Sequence, residues 1–166
     1  MRVLTKALDL SETALAVVCV ISFVVMFLLG IATVVFRFII ESSLAFPDEL
    51  IRYLFVWMIF LGSAVALRRN MHAAIGLLVA SLPAVMRRTA LIAASLLSGA
   101  FFVLIFVYGI DLTIRVQHQI SPALEVSMSW VYGAIPVGMA FLILYTAELI
   151  VRQIRAPGDA LFTEGL

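Results

Sequence analysis

The stretch TALAVVCVISFVVMFLLGIATVVF, residues 13–36, decides the fold, because it runs for 24 residues without a charge. At about 1.5 Å rise per residue, a helix of that length covers roughly 36 Å, enough to cross a hydrocarbon core of roughly 30 Å. Two more runs, Thr89 to Ile110 and Val126 to Ala147, give 22 uncharged residues each. A fourth, Tyr53 to Leu67, supplies 15. Leu50 to Arg52 lengthen it, since Arg52 can hold its guanidinium at the interface while its stem lies along apolar surface. Such continuous apolar runs do not suit the alternating short strands of an outer-membrane barrel, so the spans are helical.

The reading is an all-α polytopic membrane protein. Four transmembrane helices at about 13–36, 50–67, 89–110 and 128–149 form a single membrane domain, 1–155. Residues 156–166, with Pro157 and Gly158, read as a flexible tail. The rest of the composition agrees: 64% of residues are hydrophobic and 13% charged, with a mean hydropathy of +1.19. A net charge of +1 gives no basis for nucleic-acid binding. Cys19, the only cysteine, can form neither an internal disulfide nor a multi-cysteine metal site.

Charge placement sets the topology. With four spans, the N-terminus, the 68–88 connection and the C-terminus share one side and hold Arg2, Lys6, Arg68, Arg69, Arg87, Arg88, Arg152 and Arg155, eight of the eleven basic residues. Positive-inside counting puts both termini in the cytoplasm and the two acidic-leaning loops outside. Residues 70–86, NMHAAIGLLVASLPAVM, carry no charge and admit two readings, a fifth span or a helix lying at the interface. Met71, Ile75, Leu78, Leu82 and Val85 form a bulky stripe beside a small-residue face, with an arginine pair on either side. A cytoplasmic-side interfacial amphipathic helix is expected, because a crossing would export an arginine pair. Pro83 is expected to bend or end it.

Three charges crowd the entry to the second span, in PDELIRYLFVW, residues 47–57. Asp48 and Glu49 suit the positive end of a helix dipole, and either lies within helical reach of Arg52. The cluster serves either as a capped, interface-anchored helix start or as a docking point for a partner's extramembrane edge. No span carries an acid near its midplane. Glu148, four residues before Arg152, reads as a solvated pair at a span end. His72 and His118 fall on opposite sides and cannot share a metal. No nucleophile and base constellation or phosphate-binding glycine loop is present. Gly62 with Ala66, Ser95 with Gly99, and Gly133, Pro136 and Gly138 mark places where helices approach closely or kink.

The stretch FPDELIRYLFVWMIFLGSAVALRRNMHAAIG resembles a signature of the small membrane subunit, the Q component, of tripartite ATP-independent periplasmic (TRAP) transporters. The matching positions are Asp48, Glu49, Arg52, Trp57, Gly62, Arg68 and His72. A second stretch, QISPALEVSMSWVYGAIPVG, is similar to the family's approach to its last span at Gln119, Ser121, Pro122, Ala123, Leu124, Trp130, Tyr132, Pro136 and Gly138. The resemblance implies a scaffold for a large multi-span membrane subunit, the M component, and a periplasmic solute-binding protein, the P component. It also implies that sodium and solute sites lie in the large subunit, so this chain needs no cofactor or metal and is not an enzyme. The expectation is a non-catalytic subunit of a sodium-coupled transporter of organic anions in a bacterial inner membrane, in contact with its lipids. A stand-alone membrane structural or assembly protein is the alternative. Asp48, Glu49, Arg52, Trp57, Gly62, Arg68, His72, Pro122, Trp130 and Pro136 are the expected interface or structural residues.

Overall fold

The computed structural model describes residues 2–41, 46–69 and 83–155, and all of its regular structure is helical. In chain order the helices are α1 (Arg2–Phe38), α2 (Phe46–Arg68), α3 (Ala84–Arg115), the single turn α4 (Ser129–Tyr132) and α5 (Ala134–Arg155). Among the described residues four helical segments are long and apolar enough to cross a membrane: α1, α2, α3 and the α4–α5 pair.

Local chemistry explains where the helices begin and end. Pro47 occupies the first turn of α2, where its missing N–H costs no helical bond. The last span is broken after Tyr132 because Pro136 has no N–H to give to the Tyr132 carbonyl, and the helix restarts at Ala134. Val137 N then donates to Gly133 O at 3.2 Å. Pro83, at φ −53° and ψ 146°, is extended and directly precedes α3. The interfacial helix expected over 70–86 is therefore corrected at its C-terminal end: Ala84 to Met86 are the first turn of α3. Its remaining residues, 70–82, lie outside the described residues, and so does the 156–166 tail. Among the described residues there is no separate interfacial helix.

Cross-helix contacts fix the arrangement. Arg68 meets Glu12, and Cys19 Sγ lies 3.9 Å from Met58 O, so α1 and α2 are antiparallel. Trp57 meets Trp130, and Arg68 meets Glu148, so α2 and the α4–α5 span run parallel. Arg88 Nη2 donates to Ile154 O at 2.8 Å, and Gly99 faces Thr146, so α3 and α5 are antiparallel. The order across the molecule is α1, α2, α5, α3. One end, here the basic end, holds the start of α1, the end of α2, the start of α3 and the end of α5. The loop end holds the rest.

The buried cluster joins α1, α2 and α5 near the basic end, through Leu8, Leu15, Leu61, Ala64, Val65, Met139, Leu142 and Tyr145. Toward the loop end α1 leaves its neighbours, and an apolar groove of about 500 Å³ opens along Met26, Gly30 and Val34 opposite Ile51. The outer flanks of α1 and α3 expose rows of large apolar side chains, among them Phe23, Phe27, Leu97, Phe101, Leu104 and Tyr108. In hydrocarbon these residues lose nothing by exposure, because helix association there depends on close packing and polar contacts rather than on removal from water.

Candidate functional site

Polar chemistry gathers at the two ends. At the loop end Glu49 is buried although it lies in the first turn of α2. Its Oε1 accepts a hydrogen bond from the Tyr53 hydroxyl, one helical turn on. Its Oε2 accepts the backbone N–H groups of Ala123 at 2.8 Å and Leu124 at 3.0 Å. One carboxylate thus holds down a loop more than seventy positions away. That loop is shaped to present its amides: Ser121 N donates to Val126 O at 2.9 Å, Met128 N donates to Gln119 O at 2.8 Å, and Glu125 takes a left-handed φ of 54°. Ser121 Oγ is wholly buried beside Glu49 and Tyr53, and among the described residues it has no hydrogen bond of ordinary geometry. About two turns further along α2 from Glu49, Trp57 Nε1 donates to Trp130 O at 3.1 Å, tying α2 to α4, while Trp130 stays 74% exposed.

Asp48 and Arg52 take no part in this. Both are exposed, and neither Asp48 nor Glu49 forms an ion pair with Arg52. The helical spacing that puts an acid within reach of Arg52 is present, but Glu49 turns to the loop amides instead. A carboxylate satisfied by two N–H donors and a phenol gains more from those partners than from an exposed, screened cation. Replacing Glu49 by glutamine removes the charge from these bonds and turns one acceptor into a donor. Hydrogen exchange at the Ala123 and Leu124 amides is then expected to quicken while the middle of α2 stays protected. Unchanged exchange at both amides would mean that Glu49 does not hold the loop.

At the basic end Arg68 is the hub, its side chain only 7% exposed at the last residue of α2. Nη1 donates to Glu12 Oε2 at 2.6 Å, Nη2 to Asp9 Oδ1 at 2.6 Å and Nε to Glu148 Oε2 at 3.0 Å. The guanidinium carbon stands 5.4 Å from the centroid of the Tyr145 ring, and the Tyr145 hydroxyl lies 2.9 Å from Ser11 Oγ. Two more arginines complete the set: Arg69 with Glu12 at 2.7 Å and Arg152 with Glu148 at 2.6 Å. Three acids and three arginines balance, and the network joins α1, α2 and α5. Nearby, Ser95 Oγ donates to Gln153 Oε1 at 3.1 Å in a buried bond between α3 and α5.

The sequence-expected residues therefore divide. Glu49, Trp57 and Trp130 meet at the loop end, where Pro122 stands exposed in the clamped loop. Arg68 sits at the opposite end, and Pro136 opens α5. Gly62 faces Cys19 with room for a Cβ at 3.8 Å. His72 lies outside the described residues. Sequence reasoning missed Asp9, Glu12, Tyr53 and Tyr145, and it treated Glu148 as a solvated pair with Arg152. That pair is present, but Glu148 also binds Arg68. A signal was available, because Glu12, Arg68 and Glu148 each stand at the same end of a different uncharged run. Among the described residues no group of three or more His, Cys, Asp or Glu side chains is placed to hold a metal ion.

The family model described as "Tripartite ATP-independent periplasmic transporters, DctQ component" matches residues 26–156. The chain is 36% identical over 70 residues to a protein of Haemophilus influenzae named as a TRAP transporter small permease protein, covering 42% of this chain and 44% of that one. To the C4-dicarboxylate TRAP transporter small permease protein DctQ of Rhodobacter capsulatus it is 36% identical over 103 residues, covering 60% and 45%. A second Haemophilus influenzae protein named as a small permease is 27% identical over 123 residues, covering 74% of each chain. The matches thus span less than half the length of the first two relatives.

Proposed function

Since this chain belongs to the DctQ-component family of tripartite ATP-independent periplasmic transporters, and is not an enzyme, we infer that it is the fixed brace of a three-part uptake system. In this reading the large membrane subunit carries solute across the bilayer, coupled to sodium. A periplasmic binding protein delivers the solute, an organic anion. The chain sits in the bacterial inner membrane with the basic end, and both termini, in the cytoplasm. Eight of the eleven basic residues fall at that end, as positive-inside bias requires.

The observation that carries the reading is the distribution of ionisable groups within a DctQ-type chain. Among the described residues every acidic or basic side chain lies toward an end of its helix or in a loop, and those most deeply placed are tied to one another rather than left open to an ion. A carrier needs ionisable or discontinuous-helix sites at the midplane, whereas a brace needs rigidity. The Arg68 hub and the Glu49 clamp supply rigidity at opposite ends. The bare apolar flanks of α1 and α3 offer the surface against which a larger subunit can rest.

Co-expression of the tagged chain with its large membrane subunit tests this. A stable complex is expected through detergent exchange, with sodium-dependent uptake in liposomes only when both membrane subunits and the binding protein are present. Uptake by this chain alone would overturn the brace. Failure to hold any large membrane subunit would favour a stand-alone structural protein.

A further inference from the structure

Between α2 and the α4–α5 segment the loop end opens into a groove of about 680 Å³. Its α2 wall holds Asp48, Arg52, Val56 and Phe60 as a stripe on one face, one turn below another. Beside them stand Glu49 and Tyr53, which are bonded to each other, with the Glu49 carboxylate also taken up by the loop amides. The opposite wall is apolar at the same depth, with Val131 and Ile135. From Asp48 to Phe60 the stripe descends roughly 18 Å along the helix, comparable to one leaflet of a hydrocarbon core roughly 30 Å thick. Below it the groove closes, because α2 and α5 touch at Phe60 and Gly138.

The order of chemistry down this stripe is specific: an anion outermost, a cation one turn in, then apolar side chains. Among the described residues Asp48 and Arg52 form no ion pair or hydrogen bond. A phospholipid with an amine headgroup carries the complementary order, with ammonium outermost, phosphate beneath it and acyl chain below. We propose that this groove seats one zwitterionic, amine-headed phospholipid of the phosphatidylethanolamine class. Its phosphate lies on Arg52, its ammonium on Asp48 and one acyl chain along Val56, Phe60, Val131 and Ile135. The match depends only on α2 entering the membrane at Asp48 and not on the transport role, so it goes beyond that reading. An anionic lipid would satisfy Arg52 but meet Asp48 with like charge.

The test is lipid retention by the purified full chain in native mass spectrometry, delipidated and titrated with phosphatidylethanolamine or phosphatidylglycerol. The wild type is expected to favour the amine lipid by a factor of roughly two to five, the worth of one exposed ion pair. Asp48→Asn should abolish that preference while keeping binding, and Arg52→Gln should weaken both lipids. Val56→Trp, which fills the groove, should remove the bound lipid. Arg52→Gln changes only an exposed side chain, so it keeps the test decisive if the tryptophan variant misfolds. Equal retention of both lipids by the wild type, or unchanged retention in Arg52→Gln, overturns the proposal. So does a photo-crosslinker at position 56 that couples to a polypeptide rather than to phospholipid in native membranes.

Discussion

Arg68→Leu is expected to lower the unfolding free energy in micelles by about 3 kcal/mol, the lower end of the range for breaking a buried ion pair. The lower end applies because neither buried carboxylate is wholly orphaned. Glu12 keeps Arg69, and Glu148 keeps Arg152. Those two arginines are half exposed, at 52% and 56%, and exposed pairs are worth at most about 1 kcal/mol, so they only partly offset the loss. Asp9, 66% exposed, contributes little either way. The cost comes from Glu12 and Glu148, 18% and 11% exposed, which face each other's charge once the guanidinium between them is gone.

The same geometry predicts how other substitutions divide. Arg68→Lys keeps the charge but not the planar fork that bonds three carboxylates through three different nitrogens, so it should recover only part of the loss. Arg68→Leu combined with Glu12→Leu and Glu148→Leu should be close to neutral, because removing all the buried charges also removes their desolvation cost. Unfolding followed by Trp57 and Trp130 fluorescence reads all three variants. A single leucine variant within about 0.5 kcal/mol of wild type, the range of an ordinary surface change, would show that the hub does not hold α1, α2 and α5 together.

Much of this architecture was legible in the sequence, for a physical reason. An uncharged run long enough to cross hydrocarbon has few other ways to satisfy its backbone, so residues 13–36, 89–110 and most of 126–147 declare themselves as helices. The lateral order α1, α2, α5, α3 was not legible. Lipid-facing and helix-facing sides are equally apolar here, so α1 and α3 carry no amphipathic signal that names their neighbours. Within the candidate sites, Glu49 stood out as a charge at a span entry, but its true partners are backbone amides, which leave no mark in the residue types of Ala123 and Leu124. Spacing puts both Asp48 and Glu49 within helical reach of Arg52, and the arginine pairs with neither. Spacing limits which pairs can form, and competition from better donors decides which do.

Gly138→Leu is the second substitution with a large expected effect, about 3 kcal/mol of destabilisation or more, at the upper end of overpacking. A Cβ at Gly138 would stand 2.6 Å from Phe60 Cβ and 3.0 Å from the Phe60 carbonyl carbon and oxygen. Two of those three atoms are backbone, so no rotamer change relieves the contact and α2 must move away from α5. Other glycines calibrate the effect. At Gly62 the nearest atom is Cys19 Sγ at 3.8 Å, and at Gly30 nothing lies within 4 Å. Alanine at either should therefore be neutral or stabilising by up to about 1 kcal/mol through helix propensity. Phe60→Ala should not rescue a Gly138 variant, because Cβ and the backbone remain. Partial rescue by Phe60→Ala would instead place the strain in the aromatic ring and remove the argument for a backbone-limited crossing. The displacement would also be felt above and below, since the Trp57 to Trp130 bond and the Arg68 to Glu148 bond join α2 to the α4–α5 span on either side of this contact. Separating the helices at Gly138 stretches both, and loss of the Trp57 indole hydrogen bond, read as a shift in its emission, should accompany the fall in stability.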